Sequence, residues 1–323
     1  MNPEAYDAYL KGRYYIYNQS YTDPISLNQA KANFEEAIEK DPNFSPAYSG
    51  LAETYICLVW FGRGQITPAD GYRSARNAVQ RALELDPNNG EAYDALGELN
   101  WHVDLDWNAA ERSFDRAIAL APSFSCAHED RAIFMALMGR RDEALMELAK
   151  TKLLDPGPES AGIESAVYLQ LRDWENLLEW SRTRLASDPN SSDVHADLGI
   201  AYEGTGKLPE AIAEYQKAVE LSDGDLQAVA SLGHAFAAIG RRAEAEKILH
   251  SIEQKPNADK TSSYLEATIY AGLGEKDKAL DLIEKAYREK SLDIGWTLKF
   301  DLRTDNLRTD LRFQHLLESV GLQ

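Results

Sequence analysis

Apolar residues recur along this chain at three- and four-residue steps, in blocks separated by short polar stretches rich in Pro, Asp and Gly. That spacing gathers them on one side of a 3.6-residue helix, so each block predicts an amphipathic α-helix. The blocks come in pairs, and the pairs repeat. Pro-containing turns fall at Asp41-Pro42, Asp86-Pro87, Ala121-Pro122, Asp155-Pro156 and Asp188-Pro189, spaced by 45, 35, 34 and 33 residues. Gly206, Gly240 and Gly274 then follow at intervals of 34, and Gly139 lies 67 before Gly206. A constant interval of this size signals a repeat architecture.

The repeats agree internally. In "SSDVHADLGIAYEGTGKLPEAIAEYQKAVELSDGD", Leu198-Gly199, Tyr202, Ala211, Tyr215 and Ala218 hold the register that Leu232-Gly233, Phe236, Gly240 and Ala245 take up one repeat later. A small residue at the eighth position lets the two helices of a pair approach closely, and an aromatic at the twenty-fourth fills the space between repeats. Eight repeats start near residues 5, 45, 90, 125, 158, 192, 226 and 260, the fifth being the least regular. This pattern resembles the tetratricopeptide repeat family over nearly the whole chain. The resemblance implies an all-α, right-handed α-solenoid of about eight helix-turn-helix units. The solenoid is expected over 1–290, and 291–323 is expected to form a C-terminal extension and capping helix, since an array must cover its last apolar face.

The string Gly204-Thr205-Gly206-Lys207 is a turn within this register. A phosphate loop needs a glycine where Ala201 stands and a Ser or Thr where Leu208 stands. Gly206 instead supplies the positive φ that ends a helix, and Pro209 suits the first turn of the next. Two repeats carry insertions between their helices, one within "YNQSYTDPISLNQ" and an apolar one within "CLVWFGRGQITPADGYRSA" that holds Trp60 and Phe61. Such insertions form either binding loops or a longer first helix. His102, Asp104 and Asp106 have alternating spacing, but they fall on a turn where acids cap a helix start. No metal and no cofactor is expected.

Net charge is −19, and acids exceed bases in every block of fifty residues. No basic patch can hold a phosphate backbone, so nucleic acid is excluded as a direct ligand. No apolar run is long enough to span a membrane, and the N-terminus lacks a signal-peptide pattern. Two cysteines, Cys57 and Cys126, exclude a disulfide framework and fit a reducing compartment. The expected location is cytoplasmic, or extracytoplasmic if the chain belongs to a membrane-anchored protein.

The runs "AYDAYLKGRYY", "TPAD", "DWNAAERSFDRAIALAP" and "LRTDLRFQHLLESVGL" resemble the C-terminal repeat halves of bacterial signalling proteins: winged-helix regulators, serine/threonine kinases and nucleotide cyclases. That resemblance implies a sensory or docking half, excised or free-standing. In such solenoids the first helices line a concave groove. Register places Tyr6, Tyr9, Arg13, Glu53, Asp94, Glu98, Trp101 and Glu129 there, with Trp60 and Phe61 nearby. The acids would attract Lys or Arg, and the aromatics would stack on a guanidinium or an anchoring ring. His128 and His195 fall at core-facing positions. The function expected is non-enzymatic binding of a protein or peptide. Two alternatives stay open: a small-molecule sensor with a closed pocket beside Trp60, Phe61 and Trp101, and a hydrolase in which two carboxylates converge on an enclosed cavity.

Overall fold

The computed structural model describes residues 2–19, 23–62, 64–155, 161–254, 262–289 and 291–322; among them there is no strand. Pro156, one of the turn prolines of the repeat register, lies outside the described residues. Eight successive helix pairs make up the repeats. They are α1 (Pro3–Arg13) with α2 (Pro24–Lys40), α3 (Ser45–Phe61) with α4 (Pro68–Leu85), α5 (Gly90–Leu99) with α6 (Trp107–Leu120), and α7 (Ser125–Leu137) with α8 (Arg141–Leu154). Next come α9 (Ala161–Gln170) with α10 (Trp174–Ser187), α11 (Ser192–Gly204) with α12 (Leu208–Leu221), α13 (Leu226–Ala238) with α14 (Arg242–Glu253), and α15 (Ser262–Gly272) with α16 (Lys276–Arg288). A short α17 (Leu292–Trp296), a 3-10 turn (Leu302–Leu307) and α18 (Leu311–Ser319) close the chain. The all-α helix-turn-helix solenoid class expected from the pattern is the class observed.

Helix starts follow from local chemistry. Asp23, Thr67, Asn89, Asp106, Asp173, Ser191 and Asp225 each accept a backbone N–H from the first turn of the helix they precede. Each such cap is worth about 1 kcal/mol. By packing, the residues divide into two compact units, Met1–Phe134 with Met146–Ser160, and Met135–Leu145 with Ala161–Gln323.

In the N-terminal unit the core is built around Phe34, which is fully buried. A Cβ on Gly12 of α1 would lie 2.7 Å from its ring, and one on Gly50 of α3 would lie 2.5 Å away. The aromatic thus wedges between two helices that only glycine allows this close, and its burial contributes about 2–3 kcal/mol. The insertions lengthen first helices. α1 continues into a π-helical turn, Tyr14–Gln19, and α3 runs 17 residues to Phe61. α5 also ends in a π-helical turn, Asn100–Asp104, closed by Leu105 at φ 52°. Asp106 then caps α6, while Asp104 accepts from Arg76 at 2.9–3.0 Å. The alternating acids of that stretch therefore serve as a helix cap and an ion pair.

The C-terminal unit is more regular. Gly206, Gly240 and Gly274 sit at φ 78°, 81° and 76°, each ending a first helix. At Gly206 the paired bonds Gly206 N–H to Glu203 O (2.9 Å) and Lys207 N–H to Tyr202 O (2.8 Å) close the helix end. Arg172 occupies the same turn in the fifth repeat at φ 53°, with the same paired bonds. A Cβ on Gly199 would lie 2.5 Å from the Tyr215 ring, the same close approach seen in the other unit.

The C-terminal segment does two things. Arg312, in α18, bridges Asp281 and Glu284 of α16 at 2.5 and 2.9 Å, as a capping helix should. Before that, residues 293–306 run along the first helices of the preceding repeats. Gln227 of α13 donates to Asp293 (3.2 Å), Arg303 to Ser231 of α13 (3.1 Å), Tyr264 of α15 to Asp301 (2.9 Å), and Asn306 to the Ala271 carbonyl (2.7 Å).

Candidate partner-binding face

In the N-terminal unit the first helices α3, α5 and α7 place five carboxylates in one another's fields: Glu53, Asp94, Glu98, Glu129 and Asp130. Burial pushes Glu53 up to about 7, with Glu91 adding to the shift while the Tyr17 hydrogen bond and Arg13 oppose it. Burial likewise lifts Glu129 to about 7, reinforced by Asp155 and Glu53. Asp94, Glu98 and Asp130 are held well above the usual carboxylate range by burial and by neighbouring acids. Asp94 and Asp130 lie side by side, and a contact between them tempers the rise of Asp130. Oδ1 of Asp94 is buried without a partner.

A polar chain leads from this cluster to α1. The Tyr17 hydroxyl donates to Glu53. The Arg13 guanidinium lies over the Tyr17 ring at 4.8 Å, donates to the Tyr9 hydroxyl at 3.0 Å, and pairs with Glu91 at 2.5 Å. Arg13 is thus already matched by Glu91. Among the described residues, no lysine or arginine offsets Glu98, Glu129 or Asp130.

Of the residues placed by register, Glu53, Asp94, Glu98 and Glu129 lie within one another's fields, and Arg13 borders them. Three do not present free surfaces. Trp101 is 1% exposed, its ring stacked on His102 at 4.2 Å and set edge-on to Phe134 at 5.6 Å. The reason is the π-helical turn at Asn100: the wider turn breaks the 3.6-residue register and carries Trp101 inward. Tyr9 is buried because its ring packs edge-on to Phe44 at 5.2 Å. Asp94 is buried because α5, which carries it, packs against α3 and bears the Asp130 contact from α7. Tyr6 remains exposed, 6.2 Å from the Tyr9 ring. Trp60 is partly covered, its ring edge-on to His102 at 5.1 Å, and Phe61 at the end of α3 is 36% exposed. His102, enclosed by these rings, has its pKa pushed down to about 3 by burial. No group of ligating side chains suited to a metal occurs among the described residues.

Comparison with known proteins bears on what kind of face this is. Residues 180–225 match the family model described as Tetratricopeptide repeat. The yeast Tom70 crystal structure aligns with 99% of this chain and 64% of its own at a TM-score of 0.51 and 16% identity. The human IFIT1 dimer with PPP-AAAA aligns with 83% of this chain and 70% of its own, at 0.53 and 18% identity. These likenesses are of fold. Residues 180–225 thus carry a tetratricopeptide repeat, and the other described helix pairs share its helix-turn-helix fold. Among curated human proteins, protein O-mannosyl-transferase TMTC1 is 28% identical over 162 residues, which are 48% of this chain and 18% of that protein. The chain therefore spans under a fifth of that relative's length, and just under two thirds of Tom70's. No described helix is long and apolar enough to cross a membrane.

Asp130 is a member of the acidic face that groove register does not pick out, although a signal for it exists. His128-Glu129-Asp130 and His195-Ala196-Asp197 occupy the same positions two repeats apart. Both histidines are core residues, as expected, and are held identically. His128 Nδ1 lies 2.6 Å from Glu147 and Nε2 3.1 Å from the Pro122 carbonyl; His195 repeats both distances with Glu214 and Pro189. A ring fixed in this way orients the helix so that the acid two residues on faces the opposite side.

Proposed function

We propose that this protein is a docking module whose N-terminal unit receives a cationic segment of a partner protein or peptide on the face formed by α3, α5 and α7. The observation that carries the reading is the set of five crowded carboxylates from three successive repeats, held at a cost in desolvation and mutual repulsion. A Lys or Arg side chain from a partner would relieve that cost, and the charge match would speed encounter and fix register. Tyr6 of α1 and Phe61 at the end of α3 are exposed in the same unit and would suit an apolar residue of such a segment. The context we infer is the sensory or docking part of a bacterial signalling or regulatory system, with no catalytic step assigned to this chain.

The test uses a fluorescently labelled Arg/Lys-rich nonapeptide with one tryptophan, titrated at low and physiological salt. Glu98→Lys/Glu129→Lys should weaken binding by about tenfold or more, as removal of close charge pairs does. Glu210→Lys/Glu220→Lys, the same charge change at exposed positions of α12, should leave binding within about twofold, as rim charges do. Equal losses in both variants would mean that only net charge is read, and the face assignment would fall.

A further inference from the structure

A second site, with different chemistry, lies in the C-terminal unit. A partly open cavity of about 270 Å³ is lined by α9 to α13 on one side and by residues 296–303 of the C-terminal segment on the other, with Asp193 at its exposed edge. This is near the lower end of the range for small-ligand pockets, and too small for a folded partner. Asp193, Asp197 and Ile200 line it from a single stripe of α11, one turn apart, and Trp174, Trp296 and Phe300 supply flat apolar walls.

The charges are arranged unevenly. Arg303, a basic residue in the wall, is committed to Asp301 at 2.8–3.2 Å through three contacts and to Ser231 at 3.1 Å. The Ser165 hydroxyl, which donates to the Gly162 carbonyl at 3.1 Å, lies beside Asp197 and favours its charged form, and the charged group acting on Asp197 is a second acid, Asp193. Burial pushes Asp197 up to about 7, and Asp193 adds to that. The cavity therefore offers aromatic faces, which favour a cation or a flat apolar body, and two carboxylates that no internal cation neutralises. Asp193 and Asp197 project from the same face of one helix, so they approach a ligand from one side. A hydrolytic acid and base would have to flank the bond they act on.

We infer that this cavity binds a small organic amine: a protonated nitrogen held between Asp193 and Asp197, with an apolar body of metabolite size against Trp174, Trp296 and Phe300. The ammonium would supply the positive charge that Asp193 and Asp197 lack, and the C-terminal segment would form the wall that senses occupancy. This site is independent of the carboxylate face in the N-terminal unit.

The experiment is isothermal titration calorimetry of the full chain with 2-phenylethylamine and with 2-phenylethanol, which has the same skeleton without the charge. The amine should bind at one site and at least about tenfold more tightly than the alcohol, a difference typical of one charge-assisted hydrogen bond. Asp197→Asn should abolish that preference, and Asp193→Asn should reduce it. Both variants are checked for unchanged helicity by circular dichroism, and both remove a carboxylate without changing shape. Phe300→Ala should weaken amine and alcohol alike. Glu98→Lys/Glu129→Lys, in the other unit, should leave amine binding unchanged, so this result and the docking test stand or fall separately. Equal affinity for amine and alcohol, or a preference that survives Asp197→Asn, overturns the assignment. Tighter binding of N-acetyl-lysine amide than of 2-phenylethylamine would also overturn it, in favour of a peptide side chain.

Discussion

The two compact units build the same repeat position for opposite ends. In each, a histidine is clamped between a glutamate and a proline carbonyl, and the aspartate two residues later faces away from that clamp. In the N-terminal unit the aspartate, Asp130, meets Asp94, Glu98, Glu53 and Glu129, so an acidic face results. In the C-terminal unit Asp197 meets aromatic walls, one further acid and the chain's own C-terminal segment, so a partly open cavity results. A shared backbone register therefore fixes where a side chain points, while the neighbouring repeats decide what it meets. Function in such an array resides in the differences between equivalent positions.

The largest effect that separates the units concerns the clamp itself. His195→Ala leaves Glu214 with Lys217 at 3.3 Å, a lysine more than half exposed. His128→Ala leaves Glu147 with Arg131 at 2.6 Å, and both of those side chains are nearly buried. Removing one partner of a buried pair costs about 3–5 kcal/mol when the other is left uncompensated, so His195→Ala should destabilise by about 3 kcal/mol. His128→Ala should cost roughly 1 kcal/mol less, because its glutamate keeps a charge-assisted partner. Urea unfolding followed by circular dichroism decides it. Equal losses would show that Arg131 contributes nothing to the N-terminal clamp.

This clamp also shows which features are legible in the residues alone and which are not. The 34-residue interval, the turn glycines and the small-against-aromatic contacts such as Gly199 with Tyr215 are local or periodic, so the amino-acid pattern carries them directly. His128 and His195 are recognisable as core positions for the same reason. Trp101 departs from its expected place because a π-helical turn shifts every later position on that helix, and nothing in composition announces it. Asp130 lies off the groove stripe of its helix, and only its spacing match to Asp197 points to it. The path of residues 293–306 along α13 and α15 depends on long-range contacts such as Tyr264 with Asp301, which no periodicity encodes.

A middle-sized effect is pH dependence. Glu53 and Glu129 titrate near 4.5 when unfolded and near 7 when folded. Between those values the folded state holds more protons, so stability falls as pH rises through 7, and the penalty vanishes below about 4.5. Asp94, Glu98 and Asp130 shift in the same direction. In the C-terminal unit, Asp197 near 7 and Asp293 near 6 act alike, while burial of Asp301 is outweighed by Arg303, which holds that acid low, so it is already ionised above pH 5 and adds no slope. The N-terminal unit should therefore lose on the order of 1–3 kcal/mol more than the C-terminal one between pH 5 and pH 8. Hydrogen exchange of α5 and α13 at the two pH values, corrected for intrinsic rate, measures it. Glu53→Gln/Glu129→Gln should flatten the difference, and an unchanged slope would show that these carboxylates are solvated like any others.

The smallest effect lies in the turns, where the two units can be made to exchange character. Leu105 in the N-terminal unit and Arg172 in the C-terminal unit hold left-handed conformations that Gly206 adopts without strain. A side chain in that region costs about 1 kcal/mol relative to glycine. Leu105→Gly should then stabilise by about 0.5–1 kcal/mol, and Gly206→Ala should destabilise by about 1 kcal/mol. Arg172→Gly should gain less than Leu105→Gly. It gives up the ion pair with Asp305 and the stacking of its guanidinium 5.6 Å from the Trp174 ring centre, each worth only a few tenths of a kcal/mol at an exposed site. Thermal unfolding of the three variants resolves differences of this size. A loss of stability in Leu105→Gly would mean that the leucine side chain, not the turn geometry, holds the π-helical end of α5 in place, and that the N-terminal unit's irregular turns are stabilised by packing where the C-terminal unit relies on glycine.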